Sequence, residues 1–183
     1  TMKKTYLSIL LLLSCLLLNA CGFHLAGKEQ LPADFNDIYV ESTMPYSPVS
    51  LQLVTALQSR GVNTVDSAEN ATMVIEISKD EPSNHLETTG ASQETRRYTI
   101  TYYVTFKLLK PTGEKIFGPT TVSSSNTHYV YSGQVFGNNQ EEATLYSSLR
   151  QEATQKIIFI LNSSNVQYAI TDSQGEDSDE ADA

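Results

Sequence analysis

The sequence predicts an α+β fold. The expected arrangement is a two-layer sandwich with two helices packed on one face of a four-stranded, largely antiparallel sheet, in the order β-α-β-β-β-α. Two patterns carry that expectation. Between Arg97 and Leu108, Tyr98, Ile100, Tyr102, Val104, Phe106 and Leu108 alternate with Thr99, Thr101, Tyr103, Thr105 and Lys107. A period of two sustained that long describes a strand with one face in a core and the other left polar. Two further stretches, 48–60 and from Asn139 onward, repeat apolar residues every three or four positions, the mark of amphipathic helices.

Taken in order, residues 21–36 read as a tether: Gly22 and Gly27 loosen it, and Leu31-Pro32 stops any helix. A single domain is expected over 37–168. It opens with a short strand, Asp37 to Ser42, where Ile38 and Val40 alternate with Tyr39 and Glu41. Ser47 then precedes Pro48, a good N-cap before a proline at the first helical position, and Gly61 waits at the far end. Val49, Leu53, Val54 and Leu57 form the buried stripe between them.

Met73 to Ile77 is a second strand, and Asp80 to Gln93 reads as a loop leading into the long strand. Lys110-Pro111-Thr112-Gly113 is a turn, after which Ile116 to Tyr131 returns as a fourth strand. Gly118-Pro119 and Ser123-Ser124-Ser125 are expected to bend or bulge it. A helix begins at Asn139, with Glu141 and Glu142 where negative charge suits the dipole. Leu145, Leu149, Ala153, Ile157, Ile160 and Leu161 face inward, Arg150, Glu152 and Lys156 face out, and Asn162 to Asn165 ends it. Six of the 21 acidic residues lie in the last twelve, a stretch without large apolar side chains, so 169–183 is expected to be a disordered acidic tail.

The first residues carry an address. Lys3 and Lys4 precede a mostly apolar run from Tyr6 to Leu18, too short to cross about 30 Å of hydrocarbon as a helix. Leu18-Asn19-Ala20-Cys21 then reads as a lipoprotein cleavage box, making 1–20 a signal peptide to be removed and Cys21 the lipidated residue. The covalent groups expected there are an S-diacylglycerol and an N-acyl (palmitate-type) chain. An ordinary secretory signal with a stray cysteine is the competing account. Gly22, in place of an aspartate, points to the outer membrane. Only Cys21 would survive processing, so no disulfide within one mature chain is expected.

The net charge of −9 and the lack of a dense basic patch argue against nucleic acid as a partner. No phosphate-cradling glycine loop, His-Glu-x-x-His or Gly-x-Ser-x-Gly elbow is present. His24, His85 and His128 are scattered, and Glu141-Glu142 is better explained as a solvated helix start than as an acid/base pair. The chain is therefore expected not to be an enzyme, and to carry neither metal nor cofactor. What stands out is a hydroxyl- and tyrosine-rich strand face: Thr99, Thr101, Tyr103 and Thr105, with Thr121, Ser123, Ser125, Thr127, Tyr129, Tyr131 and Ser132. Such a surface suits polar contact at low entropic cost, and an ordinary exposed sheet face fits the pattern equally well.

At Cys21-Gly22-Phe23-His24-Leu25-Ala26-Gly27 the chain resembles the lipopolysaccharide-assembly lipoprotein LptE (RlpB) family, whose mature chains begin Cys-Gly-Phe/Trp-His-Leu, most often followed by arginine where Ala26 stands here. Leu31-Pro32, the Ser47-Pro48 helix start, the Tyr98 strand and the closing helix match in order. The resemblance implies an outer-membrane lipoprotein on the periplasmic side. It would work with the β-barrel LptD to place lipopolysaccharide (LPS) at the surface, as barrel plug, assembly factor and LPS-binding subunit. Arg96, Arg97 and Lys79 are the candidate LPS-binding residues, on charge pattern alone; ion pairing with Glu94 or Glu87 accounts for any one of them as well. The alternative is a periplasmic lipid carrier or chaperone with no fixed barrel partner, which would need a sizeable apolar cavity.

Overall fold

The computed structural model describes residues 31–88, 95–131 and 139–181. The signal segment, Cys21 and His24 lie outside the described residues, as do Glu94 and Ser132. The elements are β1 (Asp37–Ser42), α1 (Pro48–Gln58), β2 (Asn63–Thr64), a 3-10 turn (Ala68–Asn70), β3 (Met73–Thr88), β4 (Thr95–Leu109), β5 (Lys115–Tyr131), α2 (Asn139–Leu161) and α3 (Ser164–Ala181). They form the expected two-layer α+β architecture, with four corrections.

The sheet has five strands in the order β2-β1-β3-β4-β5 and is mixed rather than four-stranded and largely antiparallel. β1 runs parallel to both β2 and β3, pairing Ile38 with Met73 and Val40 with Ile75. The cause is α1, which carries the chain back between β1 and β3; a crossover of that kind leaves its strands pointing the same way. β3, β4 and β5 are antiparallel, as the one-sided alternation of β4 predicted.

The second correction concerns Asp80 to Thr88, expected as a loop but continuing β3 in register with β4 as far as Thr88 opposite Arg96. β1 ends at Ser42 against Ile77, so the far half of β3 is itself a sheet edge. A proline there, Pro82, need cost no ladder bond. The third is the C-terminal segment. Residues 164–181 are helical, and Val166, Ile170 and Ser173 are buried at helical spacing, which supplies the burial that the acidic composition concealed. At the other end Phe35 is buried in the core, so the folded body begins inside the expected tether.

One core serves all three helices: Val49, Leu53 and Leu57 from α1, Leu149, Ala153, Ile157 and Leu161 from α2, and Val166 and Ile170 from α3. They close over Ile75, Ile77, Val104, Phe106 and Leu108 of the sheet. Ser47 caps α1 as expected, its hydroxyl accepting from the Ser50 N–H at 3.1 Å. At the other end Gly61 takes φ +85° while the Val62 N–H reaches back to the Leu57 carbonyl at 3.2 Å. The expected irregularity in β5 falls near Gly118, where φ is +90° and an added Cβ would come within 3.0 Å of the Phe106 carbonyl oxygen, and not at Ser123-Ser124-Ser125, whose register to β4 is unbroken.

Candidate interaction surface

A β-bulge between Ile77 and Lys79 resets the faces of β3. Past it, Lys79, Glu81, Ser83 and His85 fall on the face away from the helices, opposite Thr105, Tyr103, Thr101 and Thr99 of β4. β5 completes the rows with Thr121, Ser123, Ser125 and Thr127. Of the hydroxyl residues picked out from sequence, those of β4 from Thr99 to Thr105 and of β5 from Thr121 to Thr127 thus lie on one continuous surface of three antiparallel strands. Thr99 and Thr127 share a hydrogen bond at 3.1 Å, and Thr105 and Thr121 one at 2.8 Å. The β4 members are half-buried and the β5 members exposed.

The charges on this face are largely paired off. Lys79 meets Glu81 at 2.8 Å and lies 5.6 Å from the Tyr103 ring centroid, and Lys107 meets Glu76 at 3.0 Å. Exposed pairs of this sort add little stability, and their effect here is to leave a near-neutral surface of donors and acceptors.

Beneath the sheet, the same bulge turns Asp80 inward, where it is 6 % exposed. Its carboxylate accepts from the Ser47 hydroxyl at 2.6 Å, from the Val49 N–H at 3.2 Å and from the Tyr102 hydroxyl. One acid thus joins the start of α1 to two strands. Burial, and then the neighbouring Asp80 carboxylate, hold the Tyr102 phenol far above its ordinary pKa. Arg150 of α2, expected to face solvent, instead lies with its guanidinium carbon 5.9 Å from the Tyr102 ring centroid. Sequence reasoning missed this cluster because Asp80 sits in what read as a loop. The signal was the pairing of Ser47 with a polar residue just after an apolar strand.

The three candidate cations do not converge. Arg97 is opposite Glu87 and Tyr129, and Arg96 opposite Thr88 and Val130; adjacent strand positions belong to opposite faces. Lys79 is opposite Thr105, about 27 Å along the strand from Arg97 at roughly 3.4 Å per residue. His85 and His128 sit on different strands at positions of opposite parity, and among the described residues no cluster of three His, Cys, Asp or Glu side chains could hold a metal. No described helix is long and apolar enough to cross a membrane.

A helix layer over a long mixed sheet, with the other sheet face open and polar, defines a two-layer α+β class of fold that known bacterial lipoproteins share. Lipoprotein B from Nitrosomonas europaea shares it with a TM-score of 0.61 and 21% identity, over 74% of this chain and 87% of that one. Rare lipoprotein B from Shewanella oneidensis shares it with a TM-score of 0.60 and 18% identity, over 73% and 98%.

The chain belongs to the LptE lipopolysaccharide-assembly family, whose sequence pattern matches residues 35–159. The LPS-assembly lipoproteins LptE of Yersinia pestis (strain Pestoides F) and Yersinia pseudotuberculosis (strain YPIII) are each 26% identical to it over 166 residues, 86% of this chain and 75% of theirs.

Proposed function

We propose that this protein is an outer-membrane lipoprotein, anchored through Cys21 on the periplasmic side, that plugs the β-barrel LptD and helps assemble LPS at the cell surface without catalysing a reaction. The observation that carries this reading is the open face of β3, β4 and β5. A barrel lumen is polar and wet, so its plug must offer hydrogen-bonding groups with little net charge, and the hydroxyl rows from Thr99–Thr127 to Thr105–Thr121 do so. A carrier of acyl chains would instead need an apolar cavity. A cleft of about 520 Å³ is lined by Lys110, Glu114, Thr72 and Ser173 as well as Met73, Ile116 and Ile170, a mixed lining that does not favour that alternative.

Capture of tagged protein in mild detergent tests the proposal: LptD is expected to come with it in fixed proportion, and recovery of monomer alone would refute the plug. We assign LPS contact to the far end of the long hairpin, where Arg96 and Arg97 occupy positions on its two faces. Arg96→Asp with Arg97→Asp is expected to weaken LPS binding about tenfold or more, with the difference shrinking as salt rises. Identical binding isotherms would remove both from the site. Lys79, remote and paired with Glu81, is expected to contribute little to that contact.

A further inference from the structure

Among the described residues, β5 closes one edge of the sheet and β4 is its one partner strand. Natural sheets protect such an edge with charges, prolines or bulges. From Thr120 to Thr127 β5 has none of these: the register to β4 is continuous, and no charged residue or proline occurs. The protection comes from elsewhere. Lys156 of α2 donates from Nζ to the Ser123 carbonyl at 2.7 Å while remaining paired with Glu152 at 2.8 Å.

That contact fixes the polarity of the strand. If the Ser123 carbonyl meets a side chain reaching round from the helix layer, it points away from β4, and so do the N–H and C=O groups of Thr121, Ser125 and Thr127 at the same parity. The rows Thr105–Thr121 to Thr99–Thr127 are then the non-hydrogen-bonded pairs, whose side chains approach most closely. The direct hydroxyl contacts at 2.8 and 3.1 Å fit, and so does the Thr105 carbonyl, which accepts from Ser78 on the β3 side at 3.4 Å.

We infer that the outer edge of β5, Thr121 to Thr127, takes up an extended segment of the barrel partner as an added strand, with Lys156 as a removable guard over the Ser123 carbonyl. What an edge of alternating N–H and C=O groups recognises is another extended backbone. Charge selects the occupant. The edge from Thr120 to Thr127 carries no charge and Lys156 beside it keeps Glu152 as its partner, so the edge favours an uncharged segment. A second copy is disfavoured, because it would bring together two mature chains that, without Lys3 and Lys4, are more acidic still than the −9 of the whole sequence.

The inference rests on the barrel reading, and parity separates the two in one experiment. Ser125→Pro and Thr127→Pro remove outward N–H groups that β4 does not use and are read against Ser125→Ala and Thr127→Ala, which lose the same open-face hydroxyls but keep the N–H; Asn126→Pro removes an N–H that β4 does use. Both odd-position proline variants of the full lipoprotein are expected to keep a wild-type circular dichroism spectrum and melt within a few degrees of it, yet capture LptD at least tenfold less well than their alanine counterparts. Asn126→Pro is expected to melt well below them. Residue-resolved hydrogen exchange on the wild-type complex gives a second readout that needs no variant: the Ser125 and Thr127 amides should slow markedly when LptD binds. Folded odd-position proline variants that capture LptD as well as their alanine counterparts, or amides whose exchange LptD leaves unchanged, overturn the added strand while leaving the plug intact. A wild-type chain that captures no LptD overturns both.

Discussion

Asp80→Ala is expected to lower the folding free energy by about 3 kcal/mol or more, read as a shift in the denaturant midpoint. Three donors converge on that carboxylate: the Ser47 hydroxyl, the Val49 N–H and the Tyr102 hydroxyl. Removing it strands buried donors at roughly 1–3 kcal/mol each, relieved in part where water can enter. It also takes a negative charge from the start of α1.

Tyr102→Phe is the control, because it deletes one donor together with its need for a partner and should cost about 1 kcal/mol. The two differ in pH dependence. The folded state holds the Tyr102 phenol neutral well past its ordinary value of 10.0, so the unfolded chain ionises first as pH rises. Stability from that neutral phenol is fully present below pH 10 and is lost above it. Tyr102→Phe should therefore flatten the alkaline limb of the stability profile. An unchanged limb, or an Asp80→Ala chain as stable as wild type, would show that the cluster does not hold α1 to the hairpin.

Cys21→Ala is expected to move the protein from the membrane fraction to the soluble periplasmic fraction and to abolish acyl labelling. Each buried methylene contributes about 0.8 kcal/mol, and stable anchoring takes two chains, so removing the thiol that starts acylation removes both the diacylglycerol and the later amide-linked chain. No described helix is long and apolar enough to cross a membrane. A variant that still sediments with membranes after a high-salt wash, in cells without LptD, would refute the anchor.

The parts of the fold visible in sequence are those where burial on one face imposes a period. β4 shows it from Tyr98 to Leu108, α1 through Val49, Leu53 and Leu57, and α2 through Leu149, Ala153 and Ile157. The far half of β3 lies beyond β1, and from Glu81 to His85 its residues are exposed whichever face they occupy, so no alternation could mark it as a strand. β2 is two residues long and too short to carry any period. α3 does have a signal, Val166 and Ile170 four apart, which its acid content outweighed.

The surface follows the same logic. The hydroxyl rows were legible because strand parity alone assembles them from β4 and β5. The Asp80 cluster was hidden because one bulge, at Ile77 to Lys79, decides which way Asp80 points. The grouping of Lys79 with Arg96 and Arg97 failed on distance: a hairpin this long separates residues near its base from those at its tip.

The most direct test of the account is site-specific photo-crosslinking in living cells, with a photoreactive residue at Thr101, at Ser123 or at exposed Thr55 on the helix layer. The two open-face positions should give a high-mass adduct containing LptD, and at least as much of it as Thr55 gives. An adduct from Thr55 alone, with none from Thr101 or Ser123, would contradict the seating of the hydroxyl face against the barrel wall.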